Sequence, residues 1–136
     1  MAHRSRLAGF IIDCRTDDLD SAAAFWSAAL GVPIADPDSG GSGQYAEFGD
    51  APGGLHVEVQ KVSHPSRVHL DIETDDLDAE VARLEALGAR RVGFVKRWWV
   101  MESPDGQRFC IVPIRQDATR GAPNRWPSAT DSDPIA

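Results

Sequence analysis

The sequence predicts an α+β fold built from two tandem βαβββ modules, whose mixed sheets curl into a cup with the helices on the outer face. Three observations predict it. A nine-residue segment, 12–20, returns at 70–78, and Thr16 to Asp20 is identical in type to Thr74 to Asp78. Each copy follows an alternating apolar run and precedes a helical pattern, and each module then supplies three short strands. A Pro-Gly turn stands before the last strand of both halves, at 51–54 and 103–106.

Each element follows from its residues. Phe10, Ile12 and Cys14 alternate with Ile11, Asp13 and Arg15, and Val68, Leu70 and Ile72 alternate with His69, Asp71 and Glu73, which is the period of a strand with one apolar face. The Asp cluster after each strand supplies a helix cap and first-turn acids. A first helix is expected near Asp20 to Leu30, with Leu19, Ala23, Trp26 and Leu30 on one stripe and Gly31 and Pro33 ending it. A second is expected near Asp78 to Leu87, with Leu77, Val81, Leu84 and Leu87 inward and Gly88 at its end. Strands are expected at 32–35, 44–48 and 55–62, then at 89–95, 98–102 and 107–114. Module one is thus 7–62 and module two 66–115. Residues 116–136 lack periodicity and read as a disordered tail.

Composition narrows the function. There are 14 Lys and Arg against 21 Asp and Glu, a net charge of −7. That balance argues against nucleic acid and against an anionic membrane surface. Hydrophobic residues make up 42%, enough for a core. The N-terminal apolar run, 7–12, is far short of the roughly 20 residues that span a bilayer. With no secretory signal pattern, the reading is cytoplasmic. Cys14 and Cys110 fall on opposite faces by parity, which argues against a disulfide.

Strand parity also sorts the polar residues. The face opposite the helices collects Ile11, Asp13, Arg15, His56, Glu58, Gln60, His69, Asp71, Glu73, Arg108, Cys110 and Val112. Such a face either meets water or lines a cup that holds a small molecule. On the second reading Asp13, Arg15, Arg108 and Cys110 are ligand-binding residues. Trp98 and Trp99 are adjacent on a strand, so one faces the cup, where its ring stacks on a flat ligand. Trp26 is expected in the core, His64 in solvent and His3 in a frayed terminus.

The duplicated Thr-Asp-Asp-Leu-Asp opening, Phe25-Trp26 in the first helix and the turn Ser103 to Gly106 resemble the vicinal oxygen chelate superfamily. That group includes glyoxalase I, bleomycin-resistance proteins, fosfomycin-resistance enzymes and extradiol dioxygenases. The resemblance covers residues 7–115 and implies two metal-ligand positions per module. They fall at Ile11 and Glu58 in module one and at His69 and Cys110 in module two. Ile11 cannot bind a metal, and a thiolate at 110 favours softer ions than an oxygen-rich site. The resemblance therefore implies a protein that binds a small organic molecule without the full ligand set. The alternative is a divalent-metal lyase, isomerase or dioxygenase. In it His56, Glu58 and His69 hold Zn, Ni, Mn or Fe, and Glu73 or Asp71 moves the proton. Small members of the group pair, and the Trp98-Trp99 strand is a plausible contact, so a homodimer is expected.

Overall fold

The structure is a computed structural model, and it describes residues 2–116 and 118–127. The strands are β1 (His3–Arg15), β2 (Ile34–Asp36), β3 (Tyr45–Phe48), β4 (His56–Val62), β5 (Arg67–Thr74), β6 (Arg90–Val95), β7 (Trp98–Glu102), β8 (Arg108–Pro113) and β9 (Asn124–Trp126). The helices are α1 (Leu19–Leu30) and α2 (Leu77–Ala86). The chain is α+β, and βαβββ occurs twice. It divides into two compact units, Gly9–His69 and Leu70–Ala136 with Met1–Ala8.

In the unit 9–69 the strand order is β2-β3-β4-β1, with β1 and β4 parallel and the other pairs antiparallel. Helix α1 covers one face. Ile12, Leu19, Ala23, Val32, Ala46, Phe48, Val57 and Val59 form the buried core, with Trp26 packed against it. The repeated Thr-Asp-Asp is the device that starts the helix. Thr16 Oγ1 accepts the Asp18 N–H at 3.0 Å, and Asp18 Oδ1 caps the Ser21 N–H at 3.0 Å. Gly31, at φ 69°, ends the helix in the left-handed conformation that glycine adopts without steric cost.

The unit 70–136 with 1–8 repeats the plan. Its strand order is β5-β8-β7-β6, with β5 and β8 parallel. Thr74 Oγ1 accepts the Asp76 N–H at 3.1 Å, and Asp76 Oδ1 caps Ala79 at 3.1 Å. Val81 and Leu84 of α2 are buried with Met101, Phe109 and Ile111 of the sheet, and Trp99 packs against them.

Three features depart from the sequence expectations. Strand β1 begins at His3 rather than near Leu7, and His3 is buried instead of frayed. Its ring nitrogen lies 2.8 Å from Glu80, which Arg83 grips through both carboxylate oxygens at 2.8 Å. In place of an unstructured tail from residue 116, Asn124 to Trp126 pair antiparallel with His3 to Ser5. Trp126 Nε1 donates to Ser5 Oγ at 2.8 Å, and the Arg83 guanidinium stacks 4.0 Å from the Trp126 ring. One aromatic residue in a polar stretch is enough to anchor a strand when a cation and a buried hydroxyl await it. The rest of the expected tail, 128–136, lies outside the described residues. Finally, Val68 and Leu70, expected under the helices, are 53% and 50% exposed on β5.

Removing the chain after Gln116 is therefore expected to destabilise the protein. Trp126→Ala alone is expected to cost about 1–3 kcal/mol, from the lost hydrogen bond, cation contact and packing. Thermal unfolding of full-length, truncated and Trp126→Ala protein checks this.

Candidate functional site

The polar face of the sheet in the unit 9–69 is built by register. Ile11 on β1 aligns with Glu58 on β4, and Glu58 aligns with Glu47 on β3. The next row runs from Asp13 to Gln60 to Tyr45, with Gln60 Nε2 donating to the Tyr45 hydroxyl at 3.1 Å. The row before pairs Gly9 with His56. A Cβ at Gly9 would lie 1.8 Å from the His56 carbonyl oxygen, so only glycine lets β4 approach β1 there and set His56 in place.

Two clusters occupy this face. In the first, His56 sits between two acids. Its Nε2 is 2.9 Å from Glu58 and its Nδ1 is 3.5 Å from Glu47. One ligating atom from each of the three lies within 4.8 Å of the others. In the second, His69 Nδ1 is 2.9 Å from Asp13 Oδ2, and the Arg67 Nε is 3.7 Å from the same oxygen. The Asp13 side chain is 2% exposed. Its Oδ1 is buried and accepts no hydrogen bond among the described residues.

The sequence led to the ligand trio His56, Glu58 and His69, and the structure groups these residues differently. The group of three around His56 and Glu58 that could hold an ion has Glu47 as its third member; separately, His69 Nδ1 pairs with Asp13. The signal for Glu47 lay in strand alternation. Ala46 and Phe48 are both buried in the core, so Glu47 between them must face the other way.

In the unit 70–136 with 1–8, the expected site residues divide differently. Asp71 and Cys110 are buried and aligned across β5 and β8, and Cys110 aligns with Val100 on β7. Trp98, two residues before Val100, shares that side of β7, with Lys96 Nζ 6.0 Å from its ring. Trp99 lies on the opposite side of β7, aligned with the buried Ile111. It packs in the core and meets Phe94 edge-on at 5.1 Å. Arg108 Nε donates to Glu102 at 3.0 Å. In the unit 9–69, the Arg15 side chain is exposed and its backbone N–H donates to Ser66.

Glu73 is not the free carboxylate that proton transfer requires. It is 1% exposed and accepts from Arg6 at 2.6 Å, from Arg120 at 2.8 and 3.0 Å, and from the Arg115 N–H at 3.3 Å. Burial pushes its carboxyl up, but the Arg120, Arg6 and Arg115 hydrogen bonds outweigh this and hold it below the usual range. It is the anchor of a buried ion cluster. Arg120 lies in the stretch read as tail, so the sequence offered no sign of it.

The four-position metal set that the resemblance implies does not fit these residues. Its first position is Ile11, an apolar side chain 3% exposed. Its second, Glu58, is tied to His56, and His69 is tied to Asp13.

Residues 9–112 match the family model of the glyoxalase-like domain, and the chain belongs to that family. No curated protein sequence matches it. Among solved structures it resembles a methylmalonyl-CoA epimerase in complex with methylmalonyl-CoA and an ammonium ion. The TM-score is 0.59 and the identity 17%, over 85% of this chain and 99% of that one. It also resembles the Streptomyces coelicolor methylmalonyl-CoA epimerase bound to 2-nitronate-propionyl-CoA, with a TM-score of 0.52 and 16% identity over 84% of this chain and 96% of that one. A hypothetical protein of Bacillus halodurans gives a TM-score of 0.58 at 11% identity, over 84% and 97%. At these identities the likeness is one of fold. No described helix is long and apolar enough to cross a membrane.

Glu73→Gln is expected to cost about 3–5 kcal/mol, because it leaves Arg6 and Arg120 buried beside a neutral amide. The pH dependence has a definite sign. The carboxyls of Glu73 and Glu80 are both lowered on folding. Their stabilisation is complete above the ordinary Glu value of about 4.3, and is lost as pH falls through the lower folded values. Urea midpoints measured across that range should fall steeply with acid, and less steeply in Glu73→Gln.

Proposed function

We propose that this glyoxalase-like protein binds a small organic molecule on the polar sheet face that carries Asp13, His56, Glu58 and His69, without the family's full metal-ligand set. The observation that carries this reading is Ile11. A buried isoleucine stands in the first ligand position, while the residues around it remain polar and partly shielded from water. A buried polar face that no longer serves an ion is suited to hydrogen bonding a ligand.

One specific observation keeps a second reading. Glu47, His56 and Glu58 present three ligating atoms within 4.8 Å, a group suited to Zn, Ni, Mn or Fe. Titration calorimetry with those ions separates the two. The proposal expects no saturable binding to wild type. Tight binding that His56→Ala abolishes, and His64→Ala leaves intact, would establish the metal reading instead.

We also propose a homodimer. Val68 and Leu70 leave half of their apolar surface exposed in the middle of a strand, where a second copy would cover it. Light scattering is expected to give twice the 14.7 kDa chain mass, and Leu70→Lys to give the monomer.

A further inference from the structure

The unpartnered oxygen of Asp13 points to the chemistry of the ligand. A buried carboxylate oxygen that makes no hydrogen bond costs about 1–3 kcal/mol or more, so proteins rarely leave one. Here Oδ2 carries both of the residue's charged contacts, His69 at 2.9 Å and Arg67 at 3.7 Å, while Oδ1 has none among the described residues. The two oxygens share one carboxylate, so the asymmetry is built into the site. The His69 contact also fixes a tautomer. A carboxylate can only accept, so Nδ1 must carry the proton and, in the neutral ring, Nε2 holds the lone pair.

The surrounding charge has the same sense. The face carries the carboxylates of Asp13, Glu47 and Glu58 against two guanidinium groups, Arg67, whose side chain is 47% exposed, and the exposed Arg15. An anionic ligand would meet net repulsion there. A cationic nitrogen would meet an acceptor with an unused lone pair.

We propose that Asp13 and His69 form a recognition dyad for a ligand bearing a positively charged N–H donor, an ammonium or guanidinium group, which hydrogen-bonds to Asp13 Oδ1. Asp13 is the contact residue, and His69 holds its other oxygen through Nδ1. The inference rests on the binding reading above and adds the ligand's charge class. That class differs from the acyl-CoA ligands of the structurally similar epimerases.

The test uses the full-length protein and two nuclear magnetic resonance readouts. Long-range proton–nitrogen correlation at about pH 8.5, where an ordinary imidazole is neutral, identifies the His69 tautomer. The dyad predicts the Nδ1–H form in wild type. An Nε2–H form overturns it without any variant. Methylguanidinium and ethylammonium are then titrated against wild type and Asp13→Asn, with propionate and malonate as the anionic arm. The cations are expected to shift the Asp13 and His69 resonances saturably in wild type, with at least a tenfold weaker response in Asp13→Asn. Cation shifts unchanged in Asp13→Asn, or saturation of the same resonances by the carboxylates, overturn the inference while leaving small-molecule binding standing. If probes of neither charge perturb the face, the inference and the binding reading both fall.

Discussion

A carboxylate can leave water only if donors or cations go with it, and that constraint organises this molecule. Glu73 is buried because Arg6 and Arg120 are buried with it. Glu80 is buried at 0% exposure because His3 and Arg83 close over it. Each cluster recruits a segment from far along the chain. Glu73 holds the segment that contains Arg120, and Arg83 in turn seats Trp126. The start of the N-terminal strand and the C-terminal strand are held by the second module's acids and the cations that pair with them.

The first module follows the same rule with a different outcome. Glu47 and Glu58 share His56, and Asp13 takes His69, so the strand rows of its polar face are locked by acid–histidine contacts. In this unit Asp13 keeps an oxygen that has no hydrogen-bond partner among the described residues. The position that the family resemblance gives to a metal ligand on β1 is filled by Ile11, two residues away from Asp13 and on the same strand face.

Most of the fold was legible because duplication and period-2 alternation are local properties. The repeated Thr-Asp-Asp announced two strand–helix joints, and Thr16 with Asp18 and Thr74 with Asp76 make the same bonds. Alternation likewise put His56, Glu58, Asp13 and His69 on the polar face. What alternation does not give is register, the offset that decides which polar residues meet. Glu47 reaches His56 through the β3–β4 pairing, and His69 goes to Asp13 instead. Long-range ion pairs escaped for the same reason. Nothing near Glu73 in sequence indicates Arg120, and nothing near Trp126 indicates Ser5 and Arg83.

The central claim is that module one's polar face serves a small molecule and not the family's metal. The most direct measurement is elemental analysis of untagged protein, purified without chelator and compared with Glu58→Ala. The account predicts substoichiometric divalent metal in wild type, unchanged in the variant. One equivalent of Zn, Ni, Mn or Fe per chain, lost with Glu58, would contradict it.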